Sequence, residues 1–354
     1  MKRKSFFAVL LSLAMILTLA AGCSDPAADN GGSSGGASAG GDTQQTGGDA
    51  GSGAPAMRVA WICDGVLTDG GWNTDGYEGM QKLAEEYNLD VSYQENVPQT
   101  DVADVLRNYA SEGYDMVLSN EQYHCEPMVE VAADFPDVTF GCVNAYVSAE
   151  NMIAFSGTLW QHNYLAGVMA GKVTKSNKLG LITFSTDSDS ALTYLSSFRT
   201  GAQSVNPDVE VIHVATGSFS DLAAGKEMAT SLIDQGCDVV YCNSGDCNAT
   251  VMELCIERGV YTISAIVDRN SMSDEYVLGS TVNLPSTQLR LMVEGKLNGT
   301  HTGNVAPIVG GIEEGIENFL VNESLRDKLD PSVFEAIDKA TAEIIAGNVT
   351  VELP

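Results

Sequence analysis

The sequence predicts an α/β protein made of two lobes, each an open, mostly parallel sheet flanked by helices. Three observations carry this reading. Short apolar, β-rich runs alternate with helical patterns from residue 57 onward, as expected of strands joined by crossover helices and covered on both faces. The alternation falls into two blocks of similar spacing, 57–157 and 159–281, without a repeat of the sequence itself. A stretch of roughly 300 residues is also longer than one hydrophobic core usually serves. Ligands of open parallel sheets bind at the carboxyl ends of the strands. Two such lobes therefore face each other across a cleft, and hinge closure is the expected motion.

The first block opens with MRVAWI (57–62) and the helical pattern TDGYEGMQKLAEEYN (74–88). DVSY (90–93), the helix DVADVLRNYASEG (101–113) and DMVLS (115–119) follow, then EPMVEVAADFP (126–136), VTFGCV (138–143) and MIAFSG (152–157). The second block begins with the helix QHNYLAGVMAGKVT (161–174) and the strand KLGLITF (178–184). It continues through ALTYLSSFRTGAQSVN (191–206), VEVIHVA (209–215), AAGKEMATSLIDQG (223–236), DVVYC (238–242), NATVMELCIERG (248–259), YTISAIV (261–267) and YVLGSTV (276–282). The helical segments keep apolar residues at three- and four-residue steps, and several end in Gly or Asn, which favour helix C-termini.

Residues 1–22, MKRKSFFAVLLSLAMILTLAAG, have the charged start, apolar middle and small-residue end of an export signal. The small residues run into Cys23, so the expectation is a lipoprotein signal peptide with lipidation at Cys23. Residues 24–56 hold Gly, Ser, Ala, Asp and Thr with no aromatic or large aliphatic residue. Such a segment buries too little to offset its ordering entropy, and 23–56 is expected to be a lipidated cysteine followed by a flexible linker. The chain has 18 basic and 47 acidic residues, a net charge of −29, and three of the basic residues lie in the signal. That balance argues against nucleic acid or anionic lipid as a partner, and contact with the membrane is expected through the lipid anchor alone. Seven of the eight cysteines follow Cys23, an odd number that leaves at least one thiol unpaired. Their spacings match no structural zinc pattern, and neither a metal nor a cofactor is expected.

The stretch CDGVLTDGGWNTDGYEGM (63–80) leaves the first strand through glycines, aspartates and a tryptophan. Phosphate cradling is excluded, because neither the G-x-G-x-x-G register nor a P-loop Lys-Ser/Thr is present and Asp64 and Asp69 would repel an anion. Catalysis has no support either. The four histidines, His124, His162, His213 and His301, are scattered, and no paired acid and base or nucleophile motif is found. Recognition remains. Trp72 at a strand-end turn offers a flat face to a ring, while Asp and Asn offer acceptors and donors to its edge. The alternative is that Trp72 packs the start of its own helix with Asn73 as the N-cap.

The pieces DGGWNTDGYEGMQ (69–81), GTLWQHNYLAGVMAGKVTKSNKLGLI (157–182), GAQSVNP (201–207), TGSFSDLAAGKEMATSLIDQGCDVV (216–240) and VLGSTVN (277–283), in this order and spacing, resemble the basic membrane protein family. These are nucleoside-binding lipoproteins of ATP-driven importers with the type I periplasmic-binding protein fold. The resemblance covers residues 57 to about 348 and implies two Rossmann-like lobes joined by a three-crossing hinge. The lobes are expected at 57–158 plus 282–303 and at 159–281 plus 304–354, with crossings near 157, 282 and 303. It implies that Trp72 stacks on a purine while Asn73 or Asp69 reads its edge, and that Phe219 offers an aromatic face from the opposite lobe. Trp160 and Gln161 match an aromatic-Gln pair of similar proteins, and Asp268 matches part of a ribose-contacting motif.

Asp64, Tyr123 and Glu121 are placed at the cleft by position after strands. Phe184 ends a strand toward it, with a core role as the alternative. Asn243, Ser244 and Asp246 either supply hydroxyl contacts or form an ordinary turn and helix cap. Where nucleoside-binding members often carry lysines, this chain has Gly70-Gly71 and Asn283, so a free base or another ring ligand stays open beside a nucleoside. The implied function is an extracytoplasmic, membrane-anchored, monomeric receptor. It would capture a purine nucleoside or nucleobase for an ABC permease and ATPase. A ligand sensor for another ring compound or a sugar, a surface nucleoside-processing enzyme and an adhesive lipoprotein are the alternatives.

Overall fold

A computed structural model describes residues 56–301 and 303–354; the expected signal, Cys23 and the linker up to residue 55 lie outside the described residues. The first lobe begins with β1 (Met57–Ile62), α1 (Trp72–Tyr87), β2 (Leu89–Gln94), α2 (Val102–Ser111), β3 (Met116–Ser119), α3 (Cys125–Ala132), β4 (Thr139–Cys142) and β5 (Met152–Gly157). The second contains α4 (Gln161–Val173), β6 (Lys178–Thr183), α5 (Asp189–Val205), β7 (Glu210–Ala215), α6 (Leu222–Asp234), β8 (Val239–Asn243), α7 (Cys247–Arg258), β9 (Tyr261–Ile266) and β10 (Val277–Asn283). The chain then returns to the first lobe with α8 (Pro285–Asn298) and β11 (Ile308–Gly310), and finishes in the second with β12 (Glu317–Val321) and α9 (Pro331–Ile345).

All ten strands expected from the sequence form, within a residue or so at their ends. The sheets run β11-β5-β4-β3-β1-β2 and β12-β10-β9-β8-β6-β7. Every pairing is parallel except β10 with β12. Alternate side chains of each strand enter different cores, which explains why the strands read as continuous apolar runs. In the first lobe Val59 and Trp61 join Met80, Leu83, Leu289 and Met292 beneath α1 and α8. Ala60 and Ile62 join Leu106, Val131 and Phe140 beneath α2 and α3. In the second lobe Leu179, Val239 and Tyr241 pack toward α4, α5 and α9, while Ile182, Val240 and Cys242 pack toward α6 and α7. Fully burying a side chain of this size contributes about 2 kcal/mol.

Helix ends follow local chemistry. Ser188 caps α5, Asp221 caps α6 and Asp330 caps α9 by accepting from the first-turn amides. Asn88, Gly259 and Gly299 end α1, α7 and α8 in the left-handed conformation. Helices α4 and α5 cross closely because Gly167 and Gly201 have no side chain; a Cβ on either would lie 2.1 or 2.0 Å from a carbonyl oxygen of the other helix.

The sequence reading missed β11 and β12, and this moves the third crossing. Ile308–Gly310 pairs with Phe155–Gly157 and belongs to the first sheet, so the chain crosses over residues 311–316 and not near 303. All seven described cysteines are buried and none is in a disulfide. In these positions the thiol packs as a small apolar group.

Candidate functional site

The carboxyl ends of the strands of both sheets converge on a cavity of about 590 Å³, a volume suited to a small molecule. The first lobe contributes Trp72, Glu121 and Gln122, and the second Phe184, Tyr194, Phe219 and Asn243. At or beside the crossings the lining is Gly157, Leu159, His162, Thr281 and Asn283, with Asn144 of the β4–β5 loop next to them.

Trp72 opens α1. Its indole Nε1 donates to the Asn120 carbonyl at 2.9 Å and the Asn120 side-chain amide donates back to the Trp72 carbonyl at 3.2 Å. Trp72 packs on the first-lobe core and also lines the cavity, while Gly71, not Asn73, stands at the N-cap position. Across the cleft Phe184 stacks on Phe219 with centroids 4.3 Å apart and planes at 29°. Phe219 is 56% exposed. The Asn243 amide donates to the Tyr241 hydroxyl at 3.1 Å.

Asp69 and Asn73 turn toward their own lobe. The Asp69 carboxylate accepts from the backbone N–H of Gly71, Asn73 and Thr74 at 2.8, 3.0 and 3.0 Å, and from the Thr74 hydroxyl at 2.9 Å. Partial burial raises its pKa, but these donors outweigh it and hold the carboxyl below the usual range. Asn73 is buried within the first turn of α1, and its side-chain oxygen accepts from Asn120 at 3.3 Å. It is neither an N-cap nor a residue of the cavity lining.

Trp160 packs against the second-lobe core and edge-on to Tyr164. Gln161 accepts from the Ile312 amide at 2.8 Å, tying the first crossing to the third. Tyr123 donates to the Asp64 carboxylate, beside the cavity rather than in its lining. Asp246 is exposed at the start of α7, and Asp268 accepts from Asn270 N and Ser280 Oγ at 2.9 and 3.2 Å. Of the residues the sequence places at the cleft, Trp72, Glu121, Phe184, Phe219 and Asn243 line the cavity.

Sequence reasoning noted Asn283 only as standing in place of a lysine, and passed over its partners. Asn144 accepts through its side-chain oxygen from Gln288 at 2.8 Å and from Asn283 at 3.3 Å, and the Gln288 amide also donates to Asn283 at 3.0 Å. Beside this amide network Glu317 is fully buried. It accepts from the Leu159 backbone N–H, from the Thr158 hydroxyl at 2.9 Å and lies 2.8 Å from His162 Nδ1. Burial raises the Glu317 pKa, yet His162 and these donors outweigh it and hold the carboxyl below its ordinary value. Leu159 and Ile266 have φ of +63° and +72°, costly for non-glycine residues and common where function over-determines the backbone. Asn144 and Asn283 could have been found from their positions at strand carboxyl ends, whereas Glu317 has no local signal.

The sequence matches, over residues 56–351, the family described as Bmp, ABC transporter substrate-binding protein PnrA-like. The transcriptional activator protein Med of Bacillus subtilis is 26% identical over 77% of this chain and 86% of its own length. A putative ABC transporter glucose-binding protein of Haloferax volcanii is 30% identical over 56% of this chain and 51% of that protein. A purine-binding protein of Brucella abortus is 28% identical over 64% and 65%. Among solved structures, an ABC transporter solute-binding protein from Conexibacter woesei superposes with a TM-score of 0.68 at 22% identity, covering 84% of this chain and 98% of that one. This structural likeness establishes the fold.

Proposed function

This chain belongs to the PnrA-like family of ABC transporter substrate-binding proteins, and from that premise we propose that it captures a purine nucleoside or nucleobase in the interlobe cavity. Such proteins work outside the cytoplasm and bind solutes; they are not enzymes. Among the described residues no helix is long and apolar enough to cross a membrane. In our reading, lipid on Cys23 and the linker hold the two lobes near the membrane as a monomer, which delivers its ligand to an ABC permease and ATPase.

The observation that carries the ligand class is the pairing of aromatic faces from opposite lobes, Trp72 on one side and the Phe184–Phe219 stack on the other, around side-chain amides. Flat faces suit a ring, and Asn144, Asn243 and Asn283 supply the mixed donors and acceptors that a heterocycle edge or ribose requires. The similarity to a purine-binding protein points the same way. A sugar is the second reading, favoured by the likeness to a putative glucose-binding protein and by the amide-rich floor of the cavity.

Thermal unfolding of the mature protein against nucleosides, free bases and monosaccharides separates the two. A ligand that binds only the native state adds about 2.7 kcal/mol at a hundredfold excess over its Kd. The expected result is a rise in Tm with purines. A rise with glucose and none with any purine would overturn the purine assignment.

A further inference from the structure

Among the described residues Glu121 is the one carboxylate in the cavity lining. It is only 8% exposed, and its Oε1 has no hydrogen-bond partner. Its backbone is fixed: the amide donates to Ser119 Oγ at 3.1 Å, and its carbonyl receives the His124 amide at 3.0 Å and the Cys142 thiol at 3.0 Å. A buried acceptor left open in a rigid setting is a place for a donor that arrives with the ligand. No Lys or Arg is in the described lining. The neighbouring His124 is pushed down to about 4, chiefly by burial, and so adds no cation at neutral pH. His162, the remaining histidine of the lining, is engaged by Glu317.

We propose that Glu121 determines specificity within the purine reading given above: Oε1 accepts an N–H from the edge of the bound ring, and the cation-free wall disfavours phosphorylated ligands by offering a phosphate no counter-charge. Asp64 stands behind Glu121 and shares a hydrogen bond with its carboxyl. Burial first, and the Asp64 charge second, push Glu121 up to about 8. Both effects favour the neutral carboxyl, in which Oε1 is a carbonyl-like acceptor. Glutamine has the same shape and the same arrangement of donor and acceptor, so it should substitute for the neutral acid. Leucine keeps the volume and removes the acceptor. A site built to bond a ligand group discriminates strongly against analogues that lack it.

The test is isothermal titration at pH 7 of the mature chain with inosine, adenosine, unsubstituted purine riboside and inosine monophosphate. Purine riboside has no N–H on its six-membered ring. The wild type should bind inosine or adenosine at least about 10-fold tighter than purine riboside, and the monophosphate about 100-fold more weakly than inosine. Glu121→Gln should keep the preference for N–H-bearing rings, and Glu121→Leu should lower it to about threefold or less. Wild-type protein that does not distinguish purine riboside, that takes the monophosphate equally well, or whose preference survives in Glu121→Leu overturns the role of Glu121 while leaving a purine receptor. The wild-type comparison decides even where Glu121→Leu does not fold. No binding of any purine overturns the ligand reading and this inference together.

Discussion

At the scale of single residues the opening turn shows how recognition and folding compete for the same side chains. Helix α1 begins with amides that have no partner inside the helix, and Asp69 supplies several of them. Asp69→Ala should therefore cost stability rather than affinity, about 1–2 kcal/mol by chemical denaturation, with Kd changing little once the protein is folded. Trp72→Ala should weaken a ring ligand by about 1–3 kcal/mol, the usual loss for a stacking face, read by titration alongside an unchanged far-UV spectrum, and should also cost stability through its lost contacts with the core and Asn120. The motif containing Asp69, Trp72 and Asn73 was legible in the sequence. The inward turn of Asn73 was not, because it depends on Asn120, 47 residues further on, reaching the same spot.

At the scale of elements the connections between lobes form one knot. Glu317 starts β12 on the third crossing and holds Thr158, Leu159 and His162 of the first. Gly157 must be glycine there, since a Cβ would lie 2.6 Å from the Glu317 carboxylate and 3.0 Å from the amide of Asn283 on the second crossing. Because its pKa is lowered on folding, Glu317 adds stability that is fully present above the ordinary value of 4.5 and is lost as pH falls through the lower folded value. Glu317→Gln should flatten that acid-side loss in urea midpoints measured below pH 5, and should destabilise at pH 7 by about 1–3 kcal/mol, because it removes a buried carboxylate bonded to Leu159, Thr158 and His162. An unchanged acid limb would count against the knot. The alternation of strands and helices made most of the element order readable. β11 and β12 escaped because a three-residue strand ending in glycine and a strand begun by a buried glutamate lack the pattern of an apolar run; their pairing is set by the other lobe elements.

At the scale of the whole molecule, two doubly covered sheets place their carboxyl ends around one cavity, and three connections allow one lobe to rotate on the other. A ring touching both walls favours the closed arrangement, because only there are both sets of contacts made. Ligand should therefore reduce the radius of gyration in small-angle scattering. An uncharged ligand should also bind with nearly the same Kd from 0.05 to 0.5 M salt despite the net charge of −29, since screening acts on charged pairs. A steep salt dependence would indicate an ionic ligand. The fold class was legible from periodicity and length, whereas the cavity floor was not, since Asn144, Asn283 and Gln288 meet only when the chain has crossed twice.

The most direct test of purine capture is a crystal structure of the mature protein grown with the tightest-binding purine nucleoside. The account predicts a ring in the interlobe cavity, against Trp72 on one side and Phe184 or Phe219 on the other, with an N–H at Glu121 Oε1. A purine found outside this cavity, or a cavity filled by a sugar with no contact to Trp72, would contradict it.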